Sequence, residues 1–297
     1  MHKVVSVVIP TKDRLRFLKK AIAMYLKYPE VGEIIVVIDG STDGTKEYLE
    51  SLARKEPRLV YVDNGTNRGI PYSRNRGISA AKYDYIFSTE DDLEVTGAFF
   101  SVLLNHLQKT HADVISGRNI FRFDWESAEQ AIRRTDKLPG NPVNLKRIEI
   151  NTSMRIENDQ SQLMIASPML FRTDVFKQVR FDEIYKVNFW REETDFQISC
   201  LEKGYKLISC PHAVSFNYVI KNDKGGIHTH DGLIRSKWVI RNNWAFIKKH
   251  GEFIDSNFDI GNRYIYITKF AFRQVYIGCI RTLAGIVKYF LRLNRSV

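Results

Sequence analysis

Apolar runs and amphipathic stretches alternate along the first ninety residues of the chain. Four short apolar runs have the pattern of buried strands: 4–10, 33–39, 58–63 and 83–88. Three stretches between them have apolar residues at helical spacing: 14–28, 42–53 and 69–81. Strands separated by helices of this length indicate βαβ units, and therefore a parallel sheet flanked by helices.

Beyond residue 108 the alternation is weaker. The apolar stretch 112–123 predicts one or two strands, and 163–176 predicts a strand followed by a helix. The segment 124–160 is polar and contains Pro-Gly and Asn-Pro turn signals, so we expect a long variable excursion there. A further helix is predicted over 191–204, because acids occupy its first turn and a glycine follows its end.

Polar side chains follow the carboxyl end of each of the first four predicted strands. The four clusters are Pro10 to Asp13, Asp39 to Ser41, Asp63-Asn64 and Glu90 to Asp92. The carboxyl ends of parallel strands share one edge of a sheet, and ligands of open α/β sheets bind at that edge. We therefore expect these clusters to lie together and form a ligand site.

Three carboxylates, Glu90, Asp91 and Asp92, stand side by side directly after a buried-looking strand. Their mutual repulsion requires a positive partner. Hard oxygen ligands suit Mg²⁺ or Mn²⁺, which keep coordination positions for diphosphate oxygens. Such a cation would stabilise charge on a leaving nucleoside diphosphate. The alternative interpretation is an acidic surface turn.

A second acidic group, Glu192, Glu193 and Asp195, begins the helix predicted over 191–204. Glu192 and Asp195 lie three residues apart on one helical face, and Glu193 points elsewhere. A carboxylate at a helix N-terminus stays ionised and can serve as a general base. The ordinary preference for acids at helix starts explains the same residues without catalysis.

Two common nucleotide-binding motifs are missing from the sequence. The segment after the first strand, PTKDRLR, has no glycine of a G-x-G-x-x-G fingerprint, and no Walker A motif occurs. Both absences disfavour a nicotinamide dehydrogenase and a P-loop enzyme. A nucleotide is still compatible with the sequence, because Asp39 could accept hydrogen bonds from a base or ribose and Arg74 could face a phosphate. Alternatively, Asp39 belongs to a plain turn and Arg74 is a solvated charge.

The stretch GGIHTHDG carries His228 and His230 beside paired glycines. Paired glycines suggest a loop that closes over a substrate, and two loop histidines could ligate a metal. Unliganded loop histidines are the alternative.

The net charge of +11 belongs mostly to the end of the chain. From Arg235 onward, 12 lysines and arginines stand against three acids. Between 263 and 297 the cations recur near one helical stripe among aromatic and aliphatic residues, which predicts a basic amphipathic helix on an anionic membrane surface. Packing on the domain or on a second copy is the alternative. Nucleic acid is not expected as a partner, because acids follow the central strands.

Cysteine usage and hydropathy indicate the cellular compartment that we expect for the protein. The three cysteines show no CxxC spacing, and no charge-free apolar run is long enough to span a membrane. The start of the chain lacks the pattern of a secretory leader. We expect a cytoplasmic protein, peripheral on the inner face of the cell membrane if the tail binds lipid.

Five segments together resemble family-2 inverting glycosyltransferases of the GT-A fold: VSVVIPTKDR, IIVVIDGSTDGT, NRGIPYSRNRGI, YIFSTEDD and REETDFQISCLEKGYKL. The resemblance covers residues 3 to about 210. It implies an α/β fold with a Rossmann-like, mostly parallel sheet, a nucleotide-sugar donor that is most often a UDP-sugar, and Mn²⁺ or Mg²⁺. The acceptor would be a hydroxyl of a glycan or lipid-linked molecule in polysaccharide or glycoconjugate synthesis.

The resemblance also predicts a division of the chain. Residues 1–215 would form the GT-A domain, with a nucleotide-binding half, 1–110, and an acceptor-binding half, 111–215. An active-site loop and connecting helix would follow over 216–262, and the basic helix over 263–297.

Individual roles follow from the resemblance. Positions matching Thr11 and Asp39 hold uracil and ribose in the family, and we place Pro10 and Asp13 in the same nucleotide site. Asn67 and Arg74 match positions near the nucleotide and its diphosphate. Asp91 falls where the metal-binding aspartate sits, with Asp92 after it. Glu193 matches the catalytic base of an E-D-x-D pattern, which Glu192 and Asp195 complete.

The sequence departs from the family pattern at three places. Thr89 stands where many members have the first aspartate of D-x-D, so Glu90 takes a ribose or supporting role. Glu193 replaces the usual aspartate. Asn217 stands near the place of a histidine that follows the base helix, so His228 or His230 would substitute for it. A catalytically inactive glycan-binding protein of the same fold is the alternative function.

Overall fold

The computed structural model describes residues 4–138, 140–219 and 232–293, with side chains described to residue 282. The strands are β1 (Val5–Thr11), β2 (Val31–Ile38), β3 (Leu59–Asp63), β4 (Tyr85–Ser88), β5 (Leu93–Val95), β6 (Val114–Phe123), β7 (Val143–Asn144), β8 (Glu149–Ile150), β9 (Gln160–Ser161), β10 (Met169–Arg172) and β11 (Leu207–Val219). The helices are α1 (Leu15–Tyr25), α2 (Thr45–Ala53), α3 (Ile70–Ser79), α4 (Phe99–Thr110), α5 (Ala128–Asp136), α6 (Thr173–Gln178), α7 (Glu192–Glu202), α8 (Gly232–Lys249), α9 (Gly251–Asn257) and α10 (Arg263–Leu293).

The first four strands form a parallel sheet in the order β3-β2-β1-β4. Every residue of β2 is buried, and β1 is buried except at Pro10. A strand buried on both faces needs an unbroken apolar run, which is what the Val- and Ile-rich segments supply. The predicted βαβ half is confirmed.

The second half of the sheet is mixed. Antiparallel β10 lies between β4 and β6, and β6 pairs parallel with β11. At the far edge, β11 pairs antiparallel with β5, and the two-residue strand β9 also pairs with β11. Strands β5 and β11 and helix α4 were not predicted from the sequence. The expected class, α/β with a mostly parallel central sheet and a helical C-terminal extension, is confirmed.

The sheet separates two apolar layers. Adjacent residues of one strand face opposite sides, so Val7 packs with Leu18 and Phe100 in one layer, and Val8 packs with Ile78 and Phe171 in the other. Helices α1 and α4 cover the first layer and α3 and α7 the second. This sandwich holds the carboxyl ends of β1, β2 and β4 in fixed positions.

The segment 124–160 contains regular structure as well as loops. It includes α5 and the antiparallel pair β7–β8. The buried guanidinium of Arg118 donates to Thr135 Oγ1 at 2.6 Å and to the Ser153 carbonyl at 2.8 Å. One cation thus ties two parts of this excursion to β6.

At the C-terminal end, α10 packs along α8. The Ser236 hydroxyl donates to the Gln274 carbonyl at 2.8 Å. A methyl group at Gly278 would come within 2.7 Å of Ser236 Oγ and 3.1 Å of the Gly232 carbonyl oxygen, so glycine favours this close approach. Within the described residues, no helix is long and apolar enough to cross a membrane.

Candidate active site

A cavity of about 830 Å³ lies at the edge of the sheet where β1, β2 and β4 end. Ten of the predicted site residues line it: Pro10, Thr11, Asp13, Asp39, Asn67, Arg74, Glu90, Asp91, Asp92 and Glu193. The structure therefore brings together residues that lie far apart in the sequence. His228 and His230 lie outside the described residues.

Asp39 organises the wall beyond β2. Its Oδ1 accepts from the backbone N–H of Arg68 at 2.7 Å and from Asn64 Nδ2 at 2.9 Å, and its Oδ2 accepts from the Gly69 N–H at 2.9 Å. These donors hold the loop 64–69 against the end of the strand. The side chain is buried, so Asp39 shapes the cavity as well as lining it.

Part of the positive charge that the acid cluster requires comes from Arg14. Its Nε lies 3.1 Å from Asp91 Oδ1, and its Nη2 lies 2.6 Å from Asp92 Oδ2. Thr11 Oγ1 donates to Asp91 Oδ2 at 2.7 Å. Sequence reasoning missed Arg14. The sequence did contain a signal. Arg14 lies three residues past the end of β1, and the neighbouring parallel strand, β4, is followed by acids.

The acid pair fits a divalent cation. Asp92 Oδ1 is buried and has no hydrogen-bond partner in the described part of the chain. A buried carboxylate oxygen without a donor favours a cation, and carboxylates are the ligands that Mg²⁺ and Mn²⁺ prefer.

Thr89 stands where the resemblance led us to expect an acid. It is fully buried, and its hydroxyl oxygen lies 3.0 Å from that of Tyr25, within hydrogen-bond distance.

Arg74 lies at the centre of a second charged cluster. Its Nη1 donates to Ser88 Oγ at 2.6 Å, and its Nη2 donates to Glu193 Oε1 at 2.9 Å. Its Nε lies 3.3 Å from Glu192 Oε1, and its Nη2 lies 3.7 Å from Glu90 Oε1. The side chain is 1% exposed, so this is a buried cation shared by three carboxylates and not a solvated surface charge.

One guanidinium cannot neutralise three carboxylates, and two of the acids hold their protons more tightly as a result. Burial raises the pKa of Glu192 to about 8, with repulsion from Glu193 and Glu90 adding to the effect and Arg74 opposing it. Desolvation within the cavity likewise raises the pKa of Glu90, with further increases from Asp92 and Glu193 and a decrease from Arg74. The site therefore carries less negative charge at neutral pH than its five acids suggest.

Glu193 is the acid of α7 that faces the cavity. Its Oε1 accepts from Arg74 and from Ser167 Oγ, at 2.9 and 2.5 Å. Its Oε2 makes no hydrogen bond within the described residues, and the side chain is 29% exposed. A carboxylate held at one oxygen and open at the other, on the first turn of a helix, is suited to accept a proton.

Sequence reasoning also missed Ser167 and the residue that orients it. The Ser167 carbonyl accepts from Asn119 Nδ2 at 2.7 Å, and Ser167 precedes Pro168 through a cis peptide. Both residues line the cavity. A Ser-Pro pair inside the segment 163–176, predicted as a strand followed by a helix, was the only local signal.

The other two acids of α7 do not line the cavity. Glu192 lies behind it, against Arg74. Asp195 is fully buried, and it accepts from Tyr185 Oη and bonds His250 Nε2, each at 2.8 Å, and accepts from Lys249 Nζ at 2.9 Å. The face that carries both acids is turned toward other elements, so neither Glu192 nor Asp195 contacts the cavity, and the catalytic role expected of each stays a prediction.

The segment before α7 forms the opposite wall in an unusual backbone conformation. Val187, Phe189 and Arg191 all have positive φ, at 67°, 51° and 79°. The buried Arg191 holds the segment by donating Nε to Asn243 Oδ1 at 2.9 Å. Val187 and Phe189 line the cavity, and the Phe189 ring packs against Gly69. Left-handed non-glycine residues cost free energy and cluster at functional sites.

Asn217 joins the site from β11. Its Nδ2 donates to Glu90 Oε2 at 3.4 Å, and it lines the cavity. This places Asn217 beside the acid run, near where the resemblance led us to expect a histidine.

The family follows from comparison with known proteins. The model of glycosyl transferase family 2 matches residues 6–180, more than half of the chain. The chain therefore belongs to glycosyl transferase family 2.

Two curated relatives and one solved structure illustrate the similarity. GlyG, a glycosyltransferase of Streptococcus pneumoniae, is 31% identical over 126 residues, 42% of this chain and 41% of its own. The GalNAc(5)-diNAcBac-PP-undecaprenol beta-1,3-glucosyltransferase of Campylobacter jejuni is 29% identical over 112 residues, 37% of this chain and 36% of its own. GalNAc-T7, crystallised with UDP, GalNAc and Mn²⁺, has a TM-score of 0.62 at 14% identity, over 82% of this chain and 47% of its own. The fold is shared, and the chain matches less than half the length of each of these proteins.

Proposed function

We propose that the protein is an inverting glycosyltransferase that moves a sugar from a nucleotide-sugar donor to a hydroxyl group of a glycan or lipid-linked acceptor. The observation that carries the proposal is the placement of Glu193 in one cavity with the acid pair Asp91 and Asp92. A general base and a diphosphate-binding edge are the two parts that such a displacement requires.

Glu193 is proposed as the base. Arg74 and Ser167 hold Oε1, so Oε2 is directed to accept the proton of the acceptor hydroxyl. The hydroxyl oxygen forms the new bond to the anomeric carbon as the bond to the diphosphate oxygen breaks on the opposite side. The leaving diphosphate takes the electron pair of the broken bond, Glu193 keeps the proton, and the anomeric configuration inverts.

Arg74 is assigned to positioning the base, not to binding phosphate. Its donors are directed at Ser88, Glu193 and Glu192. Besides Arg14, which pairs with Asp91 and Asp92, and Arg74, the cations that line the cavity are Lys12, Arg68 and Lys186, and we assign these three to the diphosphate.

The donor is proposed to be a UDP-sugar. Pro10, Thr11, Asp13, Asp39 and Asn67 form the part of the cavity wall at the ends of β1 and β2, where the base and ribose would bind. GalNAc-T7, which has a similar fold, was crystallised with UDP. Asp91 and Asp92 would hold a divalent cation, which when bound would neutralise charge on the diphosphate.

The acceptor is proposed to lie at a membrane surface. The Campylobacter relative acts on an undecaprenol-linked saccharide. Helix α10 exposes large apolar side chains beside cations: Ile265, Lys269, Phe272, Arg273, Tyr276 and Ile280. Its other face packs on α8, so both interpretations of the tail, packing and lipid contact, apply to different faces of one helix.

The base is tested by Glu193→Gln. The amide keeps the shape of the side chain but cannot take the proton, so we expect sugar transfer to fall at least about 100-fold while donor binding is kept. The matched control is Glu47→Gln, an exposed acid of α2 that should leave transfer unchanged. Near-normal turnover by Glu193→Gln would reject the assignment.

The donor is tested by thermal stabilisation with a panel of UDP- and GDP-sugars, each with Mn²⁺ and with a chelator. A UDP-sugar that raises the melting temperature only with Mn²⁺ is the expected result. Stabilisation without turnover toward any acceptor tested would favour a glycan-binding protein. Equal stabilisation with the chelator would contradict the cation site.

A further inference from the structure

A second group of metal-ligating side chains lies away from the cavity. His106 of α4, Asp159 before β9 and Cys210 of β11 offer ligand atoms that all lie within 4.8 Å of one another. His106 Nδ1 and Asp159 Oδ2 are 2.6 Å apart, and Cys210 is fully buried. Nothing in the proposed transfer reaction uses these residues.

A bulge in β11 creates this arrangement. Ser209 pairs with Ser116 and Val214 pairs with Arg118, so four residues of β11 stand opposite the single residue Gly117 of β6. A methyl group at Gly117 would lie 2.4 Å from the Ala213 carbonyl oxygen, so the bulge requires glycine there. Bulges redirect side chains, and this one carries Cys210 and His212.

Asp159 supplies an independent indication of a cation. Its Oδ1 is buried and has no hydrogen-bond partner in the described part of the chain. The side chain as a whole is only 15% exposed. Desolvating a carboxylate oxygen without a donor is costly, and a bound cation would remove that cost.

We propose that His106, Asp159 and Cys210 form a structural zinc site, with His212 as the fourth ligand. The donor set consists of one thiolate, one imidazole nitrogen and one carboxylate oxygen, and it suits Zn²⁺ better than Mg²⁺. Tetrahedral zinc separates its ligand atoms by about 3.3 to 3.6 Å, so His106 and Asp159 need to part by under about 1 Å. The exposed His212 ring lies 5.2 Å from that of His106, between ring centroids.

The site would join three segments that are distant in sequence. Helix α4, the segment before β9 and the bulge of β11 meet at these side chains. Strand β11 continues from the bulge to Asn217 at the cavity, so zinc would fix the strand that carries a cavity residue. Binding only to the folded state would raise the melting temperature.

The test uses the full chain, freed of metal by a chelator and then given one equivalent of Zn²⁺ or Co²⁺. Bound zinc is measured by mass spectrometry after gel filtration, and Co²⁺ is followed by its thiolate charge-transfer absorption near 350 nm. We expect one zinc per chain, a thiolate band with Co²⁺, and a rise in melting temperature of about 3 to 8 °C. Absence of the cobalt–thiolate band would overturn the proposal.

Matched variants separate this site from other metal sites and other thiols. Cys210→Ser should abolish the band, and His106→Gln should lower zinc affinity at least about 10-fold even if the serine variant folds poorly. The controls are Cys200→Ser, a buried thiol in the other layer, and Cys279→Ser, an exposed thiol; both should keep the band. His212→Ala should weaken but not abolish binding. A band that survives Cys210→Ser contradicts the site.

Discussion

At the residue scale, the cavity edge carries more negative than positive charge on its paired side chains. Two guanidinium groups, Arg14 and Arg74, face five carboxylates: Glu90, Asp91, Asp92, Glu192 and Glu193. A proton held by Glu192 offsets part of the excess, since its pKa is raised to about 8, and the pKa of Glu90 is raised as well. A divalent cation at the aspartate pair would offset more. Protons at the glutamates and a cation at the aspartate pair would thus both reduce the negative charge of the same site.

The raised pKa of Glu192 gives a pH prediction. The unfolded chain releases this proton near pH 4.5 and the folded chain keeps it to about pH 8, so the free energy of unfolding should fall as pH rises through this window. Glu192→Gln cannot titrate, so its stability should fall less over the same window. Urea unfolding at pH 5, 6.5 and 8 measures the difference, with the exposed Glu129→Gln as control. Parallel pH dependences of wild type and Glu192→Gln would contradict the shift.

At the element scale, the ends of β1, β2 and β4 carry the site because the strands are parallel and adjacent. The turn after β2 is the most constrained of these ends. Gly40 has φ of +72°, and a methyl group there would lie 2.6 Å from the backbone nitrogen of Asn67. The same turn presents Asp39 to the loop that it holds. Backbone conformation and side-chain chemistry are therefore coupled at this turn.

Gly40→Ala should be destabilising by about 2 to 4 kcal/mol, because it adds a steric clash to an unfavourable backbone conformation. Gly65→Ala is the matched control, since Gly65 also has φ of +72° but nothing lies within 4 Å of an added methyl group. We expect about 1 kcal/mol for the control. Gly40→Ala should also weaken nucleotide-sugar stabilisation. Equal losses in the two variants, measured by urea unfolding, would show that the contact with Asn67 is unimportant.

At the scale of the whole molecule, side-chain contacts connect the helix that carries Glu193 to the C-terminal helices. Asp195 connects α7 to α8 and α9 through Lys249 and His250, and α10 packs on α8. A continuous set of contacts thus leads from α7, which carries Glu193, to α10, whose other face is apolar and basic. Contact of α10 with lipid would fix the orientation of the cavity relative to a membrane-linked acceptor.

The lipid prediction is tested by flotation with vesicles that contain anionic or only neutral lipid. We expect flotation with anionic vesicles, lost on removal of 263–297 and reduced at least about fivefold in the double variant Phe272→Ser, Tyr276→Ser. These side chains are 74% and 68% exposed, so the substitutions should not disturb packing. Trp125→Ser, at a 65% exposed aromatic outside the helix, is the control. Flotation that is insensitive to these changes in α10 would reject the membrane role.

Much of the N-terminal half, residues 1–110, was predictable because its signals are local. Unbroken apolar runs, helical spacing and polar strand ends gave the βαβ order, and adjacency of parallel strands gave the shared edge. The antiparallel β10 and the long strand β11 were harder to predict. Their contacts join residues that are distant in the sequence: Met169 of β10 pairs with Ser116, 53 residues away, and Asn217 of β11 donates to Glu90, 127 residues away.

The sequence by itself determined the fold class, the family and the acids that end β4 and begin α7. Only the tertiary structure decided which of these acids act together. It placed Glu193 in the cavity and Asp195 behind it, and it supplied Arg14 and Arg74 as the cations between the acids. The physical reason is that a residue type reports its chemistry locally, whereas the pKa and orientation of a carboxylate depend on neighbours that the chain brings from far away.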